Sequence, residues 1–234
     1  MTLSAPIYRL KREAKTMSRE GKIPLHEALD RLAIREGFAA WALLAAKYAQ
    51  SPASEKIYAR LSPGDVVLIG ARPGQGKTLL SLELAVQAMG ARHLSRMFTL
   101  ESTELECEAM LRAIGADPKS YESQFEFHGT DGINANYIIN ALASAEKGTL
   151  AVIDFLQLLD QRRTNPPLDD QVRDLKELAR DRGLILVFLS QIDRLYNPSI
   201  KQTPDLSDVR LANPLNMSHF DKFCFLSEGN ISFR

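Results

Sequence analysis

Apolar positions fall into two periods along this chain, and the change between them divides it. In the first fifty residues the spacing is helical. Leu10, Ala14 and Met17 recur at i, i+4 and i+7. Leu25, Ala28, Leu29, Leu32 and Ala33 form the single face of an amphipathic helix, with Pro24 at its start and Gly37 at its end. A further helix is expected from about residue 39 to residue 48, stopping before a linker at Ser51-Pro52. From Leu61 onward, short apolar runs alternate with helical periods. Strands are expected at 65–69, 95–100, 124–128, 149–153, 184–189, 223–227 and 230–233. Helices are expected near 77–89, 103–114, 133–146 and 168–182, the last with a stripe of Val172, Leu175, Leu178 and Ala179. Gly90, Gly115, Gly148 and Gly183 stand at or just past the helix ends, and Thr103 and Glu106 have capping-box spacing. Strand–helix alternation predicts an α/β fold with a mostly parallel sheet covered on both faces. The expected division is a helical segment over 1–52 and a main domain over 53–234.

The sharpest chemical signal lies between the first strand and its helix. Residues 70–78 read GARPGQGKT. A Gly-rich turn closing in Gly-Lys-Thr, with a strand before it and a helix after it, is the context a phosphate-binding loop requires, the alternative being a Gly-rich turn that happens to precede Lys-Thr. Glycines let backbone N–H groups wrap phosphate oxygens, and the helix end adds positive charge. The expected ATP-binding stretch is Ala71, Arg72, Pro73, Gly74, Gln75, Gly76, Lys77, Thr78 and Leu79. Lys77 would reach the β- and γ-phosphates, and the Thr78 hydroxyl would ligate Mg²⁺. The customary first glycine is replaced by Ala71, with Gly70 one position earlier.

Three more apolar strands end in polar residues. TLAVID delivers Asp154, which would hold Mg²⁺ opposite Thr78 or else cap the next turn. MFTLES delivers Glu101, either a base for an attacking water or a surface acid beside Glu104, Glu106 and Glu108. LILVFLSQ delivers Ser190 and Gln191, an amide suited to sensing the γ-phosphate or the water, or ordinary turn chemistry.

Composition adds limits. Hydrophobic residues make up 45% and charged residues 25%, ordinary for a soluble globular protein. Nothing approaches a membrane span, and the N-terminus lacks a secretory core, so a cytoplasmic protein without membrane contact is expected. Cys107 and Cys224 fit no metal or redox spacing, and the four histidines are scattered. Net charge is zero but uneven: residues 1–60 hold 11 Lys/Arg against 6 Asp/Glu, and 61–234 hold 18 against 23. The basic segment could meet nucleic acid, a neighbouring subunit or only solvent.

Taken in order, LSPGDVVLIGARPGQGKT, FTLES, VIDFLQLL, LKELARDRGLILVFLSQIDR and LSDVR resemble the C-terminal ATPase domain of DnaB-type replicative helicases, within the RecA-like superfamily of P-loop NTPases. The likeness spans about residues 60–225. It implies a RecA-like fold and ATP hydrolysis by Lys77, Thr78, Glu101, Asp154 and Gln191, with Glu101 as the water-activating base. It implies action in DNA replication on single-stranded DNA, through loops that here carry Arg162, Arg163, Tyr196 and Lys201. It also implies a homo-oligomeric ring or filament with ATP bound between subunits. Departures are equally plain. The usual primase-interacting N-terminal domain is replaced by the short helical segment, which could instead meet a protein partner. Ser102 stands where the family has Met, and Arg112 lies two positions late. The late Lys-x-Arg-Asn-Gly stretch, which supplies basic residues to a neighbouring site, is replaced by KFCFLSEGNISFR. Slow intrinsic hydrolysis is therefore expected. The alternative is a nucleotide-controlled interaction protein with little hydrolysis and no translocation.

Overall fold

The computed structural model describes residues 7–41, 44–45, 52–160, 165–211 and 213–234. Two helices, α1 (Ile7–Gly21) and α2 (Leu25–Arg35), form an antiparallel pair at the N-terminal end. Their facing stripes meet as read from the periodicity: Leu10, Ala14, Ala28, Leu32 and Ala33 are buried together with Leu44, and Met17 packs beside them. Pro24 is the N-cap residue of α2. The helix expected over 39–48 falls partly outside the described residues; residues 41, 44 and 45 are helical.

Ser51 also lies outside the described residues. Pro52, expected in a linker, instead opens a short helix, α3 (Pro52–Tyr58). Proline suits a first helical turn because that N–H has no partner to lose. Ile57 of this helix is buried against Val67 and Ile69 of the sheet, which is why the segment orders against the body.

The body is built on β1 (Val66–Ala71), β2 (Ser95–Thr99), β3 (Phe125–His128), β4 (Leu150–Asp154), β5 (Ile185–Gln191), β6 (Lys222–Ser227) and β7 (Asn230–Phe233). They make one sheet in the order β3-β2-β4-β5-β1-β6-β7, parallel except for the antiparallel β6–β7 hairpin. The helices are α4 (Lys77–Gly90), α5 (Glu104–Ala113), α6 (Ala135–Ala141) and α7 (Leu168–Arg182).

Burial of the central strands follows from their sequence. Side chains alternate between faces, so a strand covered on both sides must be apolar throughout. Val66 and Leu68, Ala151 and Ile153, and Leu186 and Phe188 point to one face, where Ile138 of α6 and Val172, Leu175 and Ala179 of α7 cover them. Val67 and Ile69, Leu150 and Val152, and Val187 and Leu189 point to the other, under Leu80, Leu84, Ala85 and Ala88 of α4 and Cys107 of α5. α5 begins in the expected capping box between Thr103 and Glu106. α6 is shorter than the expected 133–146. Asn134 caps it by accepting from the Tyr137 N–H, and beyond Ala141 the chain tightens through bonds such as Ala145 N–H to Leu142 O. α7 carries Asp169 and Asp170 in its first turn and Arg180 and Arg182 in its last, matching the helix dipole, and ends at Gly183 in the left-handed conformation.

Parallel pairing has a functional consequence. The carboxyl ends of β1, β5, β4 and β2 come to one edge, with Ala71 beside Gln191 and Thr99 beside Asp154. Ligands of open α/β sheets bind at this edge.

Candidate nucleotide site

The loop between β1 and α4 crosses that edge. Gly74 and Gly76 have φ of 78° and 92°, a conformation open to glycine and strained for residues with a Cβ. Gly76 is the N-cap of α4, so Lys77 and Thr78 open the helix at its positive end.

Two side chains converge on Asp154, and a third joins through Lys77. Lys77 Nζ lies 3.1 Å from Asp154 Oδ1 and 3.0 Å from Glu101 Oε2. The Thr78 hydroxyl donates to Asp154 Oδ2 at 3.0 Å. Asp154 is 0% exposed. Burial raises its carboxyl above the ordinary value; Lys77 opposes this, Glu101 adds to it, and Thr78 opposes it through its hydrogen bond. Glu101, by contrast, reaches solvent, with 37% of its side chain exposed. Its backbone N–H is held by the Thr99 hydroxyl at 3.0 Å, which fixes the bend after β2.

A cavity of 470 Å³ opens over the loop. Pro73 to Leu80 line it, with Glu83, Glu101, Met110 and Gln191. Leu226 and residues 229–231 of the β6–β7 hairpin close one side. Asp154 lies beneath it, reached through Lys77 and Thr78.

Two residues of the expected ATP-binding stretch stand elsewhere. Ala71 is fully buried in the core of β1. Arg72 turns away from the cavity: its guanidinium donates to the Arg194 carbonyl at 2.7 Å and to the Tyr196 carbonyl, and lies 5.5 Å from the Tyr196 ring centre. Gln75 lines the cavity, but its side-chain oxygen accepts from the Glu228 N–H at 2.9 Å, tying the loop to the hairpin turn.

The residues read as DNA contacts have different surroundings from those expected. Arg162 and Arg163 lie outside the described residues. Tyr196 is not an exposed base-stacking platform: it is 6% exposed, and its hydroxyl donates to Lys201 O at 2.7 Å. Lys201 is held between Asp205, at 2.7 Å, and Asp208, at 2.5 Å. The same loop projects Leu195 and Ile200, 91% and 85% exposed. Arg112, two positions late in the motif, pairs with Glu108 at 2.8 Å.

Glu83, Lys11 and Lys15 were not anticipated at the cavity. A signal for each is nonetheless present. Glu83 is the sole carboxylate of α4, and burial lifts its acid to about 7 despite a hydrogen bond from Ser54. Lys11 and Lys15 are an i, i+4 basic pair beside the apolar stripe of α1.

Comparison with known proteins shows what this arrangement is similar to. Residues 132–219 match the DnaB-like helicase C terminal domain. The resemblance is to DnaB-like helicases. Asp154 and Gln191 fall inside the matched stretch, while Lys77, Thr78 and Glu101 precede it. The replicative DNA helicase DnaB of Helicobacter pylori (strain J99) is 26% identical over 178 residues, covering 63% of this chain and 37% of the relative. A probable plasmid replicative DNA helicase of Chlamydia trachomatis is 26% identical over 181 residues, covering 64% and 40%. The chain thus corresponds to well under half the length of these curated relatives. A solved ATPase domain superposes with a TM-score of 0.55 at 22% identity, over 70% of this chain and 69% of that one. A DnaB-like replicative helicase, solved in a study of its interactions with primase, gives 0.58 at 19% identity, over 97% and 73%. These likenesses show the fold: an α/β domain with a mostly parallel sheet, shared with the solved ATPase domain and the DnaB-like replicative helicase and preceded here by small N-terminal helices.

Proposed function

We propose that this chain binds and hydrolyses ATP as a DnaB-like ATPase that acts on single-stranded DNA, working as a homo-oligomer. The observation that carries the reading is the Lys77–Asp154–Thr78–Glu101 cluster at the carboxyl edge of the sheet, below a glycine loop and a helix N-terminus. A fully buried carboxylate is costly unless a cation holds it. Among the described residues one lysine holds it, and a hydroxyl occupies its second oxygen.

That donor set fits Mg²⁺. A carboxylate and a hydroxyl are hard oxygen ligands, and this ion takes one or two protein groups together with phosphate oxygens. Among the described residues no group of three or more His, Cys, Asp or Glu could hold a metal, which suits an ion shared with a nucleotide. Thr78 and Asp154 would hold it, and its charge would neutralise that developing on the phosphates. Lys77, now shared between two carboxylates, would turn one contact to the γ-phosphate. Release of Lys77 frees Glu101 to accept a proton from water. Gln191, from the neighbouring strand end, orients that water.

The test is ATP turnover with and without single-stranded DNA, with chain size measured in the same buffers. Wild type is expected to turn over slowly and to accelerate on DNA. Lys77→Ala should lose about 100-fold or more of the rate, as removal of a transition-state charge contact does.

A second reading has its own observation. The loop after β5 buries its tyrosine, neutralises its lysine and presents Leu195 and Ile200 to solvent. That surface suits a protein partner better than a phosphate backbone. If saturating DNA changes neither rate nor oligomeric state, the chain is a nucleotide-controlled interaction protein instead.

A further inference from the structure

The cavity over the phosphate loop is walled on one side by the chain's own N-terminal helix. Lys11 and Lys15 of α1 line it together with Pro73 to Leu80, Glu101 and Gln191. Four residues apart on a helix, they share a face. That face is not the one packed on α2, which is held by Leu10, Ala14 and Met17. The helical pair therefore has two surfaces: an apolar one that makes its own small core, and a basic one turned to the loop.

Lys11 is half-buried there. Burial first, and then the like charge of Lys15, hold its ammonium below the ordinary value, with no carboxylate offsetting them among the described residues. Glu101 lines the same cavity but is engaged by Lys77 at 3.0 Å, so the two ammonium groups leave room for an anion. Glu83 lines the same cavity, and its raised acid keeps a share of it protonated near neutrality, so it is a weak partner for either lysine. Among the described residues, no arginine lines the cavity.

We propose that Lys11 and Lys15 are phosphate-contacting residues of the nucleotide site, so that bound triphosphate is gripped by the loop on one side and by α1 of the same chain on the other. This deepens the proposed function and rests on it. Two consequences follow. The lysines supply cationic groups that the cavity-lining hairpin residues Gly229, Asn230 and Ile231 do not, and nucleotide occupancy becomes linked to the docking of the N-terminal segment. A triphosphate carries the charge that both lysines can reach, so ATP should depend on them more than AMP does.

The experiment measures binding of ATP, ADP and AMP to wild type, K11A/K15A, K11R/K15R and K77A, with thermal melts confirming that each variant folds. The double alanine variant should bind ATP at least tenfold more weakly, the size of one or two charge-assisted contacts. AMP affinity should move less than threefold, and K11R/K15R should keep ATP affinity within threefold of wild type. Amide exchange over residues 7–21 should slow when ATP is added to wild type and not when it is added to K11A/K15A. If K77A weakens ATP but K11A/K15A does not, or α1 exchange ignores ATP, the lysines have no such role and the proposed function stands. Failure of wild type to bind ATP at all overturns both.

Discussion

At the scale of single residues, the cost of burying charge explains the strongest effects. Glu83 is 7% exposed, and its acid titrates near 7 because burial disfavours the carboxylate. The folded state therefore binds this proton more tightly than the unfolded chain, whose carboxyl titrates near 4.5. Stability is full below that value and falls as pH rises toward 7, by at most about 3 kcal/mol. Glu83→Gln should remove this slope. Urea unfolding should find the variant about 1–3 kcal/mol more stable than wild type at pH 8 and nearly equal to it at pH 5; an equal gain at both values would refute the assignment. Gly70 shows the packing counterpart. A Cβ there would meet Phe225 Cδ1 at 2.8 Å and Ile192 Cδ1 at 3.0 Å, and Phe225 is itself 1% exposed. Gly70→Ala should cost about 1–3 kcal/mol by overpacking, read as a lower urea midpoint. The glycine one place before the usual start of the phosphate loop is thus explained by packing between β1 and β6.

Elements reveal where sequence reading reached and where it stopped. Strands and helices of the body were legible because each buried face imposes a period: β1, β4 and β5 are apolar on both faces, and α7 carries a single stripe. Lys77 and Thr78 were legible from the Gly-rich turn GARPGQGKT, and Glu101, Asp154 and Gln191 as polar residues at the ends of apolar runs; parallel pairing brings those strand ends together. α3 was missed because seven residues give too little periodicity; it is held by Ile57 and Tyr58 against the sheet and by Ser54 bonding Glu83 of α4. Arg72 and Tyr196 were misplaced for a related reason. Neither periodicity nor motif spacing reports that a guanidinium after β1 will find two carbonyls after β5, and so pull an aromatic ring out of solvent. The β6–β7 turn was anticipated at Glu228-Gly229, and its geometry leads to a prediction. With Ser227 opposite Asn230, both central residues lie in the left-handed region, at φ of 50° and 85°. Such turns favour Asn-Gly, since a glutamate there is strained. Glu228→Asn should stabilise by about 0.5–1 kcal/mol and raise the Tm by roughly 1–4 °C. The Glu228 N–H to Gln75 bond is a backbone donor and survives the change.

For the whole molecule, the issue is how much of the site one chain can supply. The loop, Asp154, Glu101 and Gln191 come from the body, and α1 brings Lys11 and Lys15 to the same cavity. On the proposed reading, Lys77, Lys11 and Lys15 would let a single chain hold a triphosphate. Hydrolysis asks for more, because charge develops on the γ-phosphate only as the transition state forms, and an arginine aimed at it is worth several orders of magnitude in related chemistry. None lines the described cavity, and the hairpin turn that approaches it carries Glu228 and Gly229. Binding and turnover should accordingly part company on dilution. ATP affinity should stay constant across a hundredfold range of chain concentration. Turnover per chain should rise with concentration as neighbours assemble, and single-stranded DNA should shift that rise to lower concentration. Turnover per chain that stays flat over the same range, with or without DNA, would mean that the catalytic set is complete in one copy and that assembly adds nothing to the chemistry.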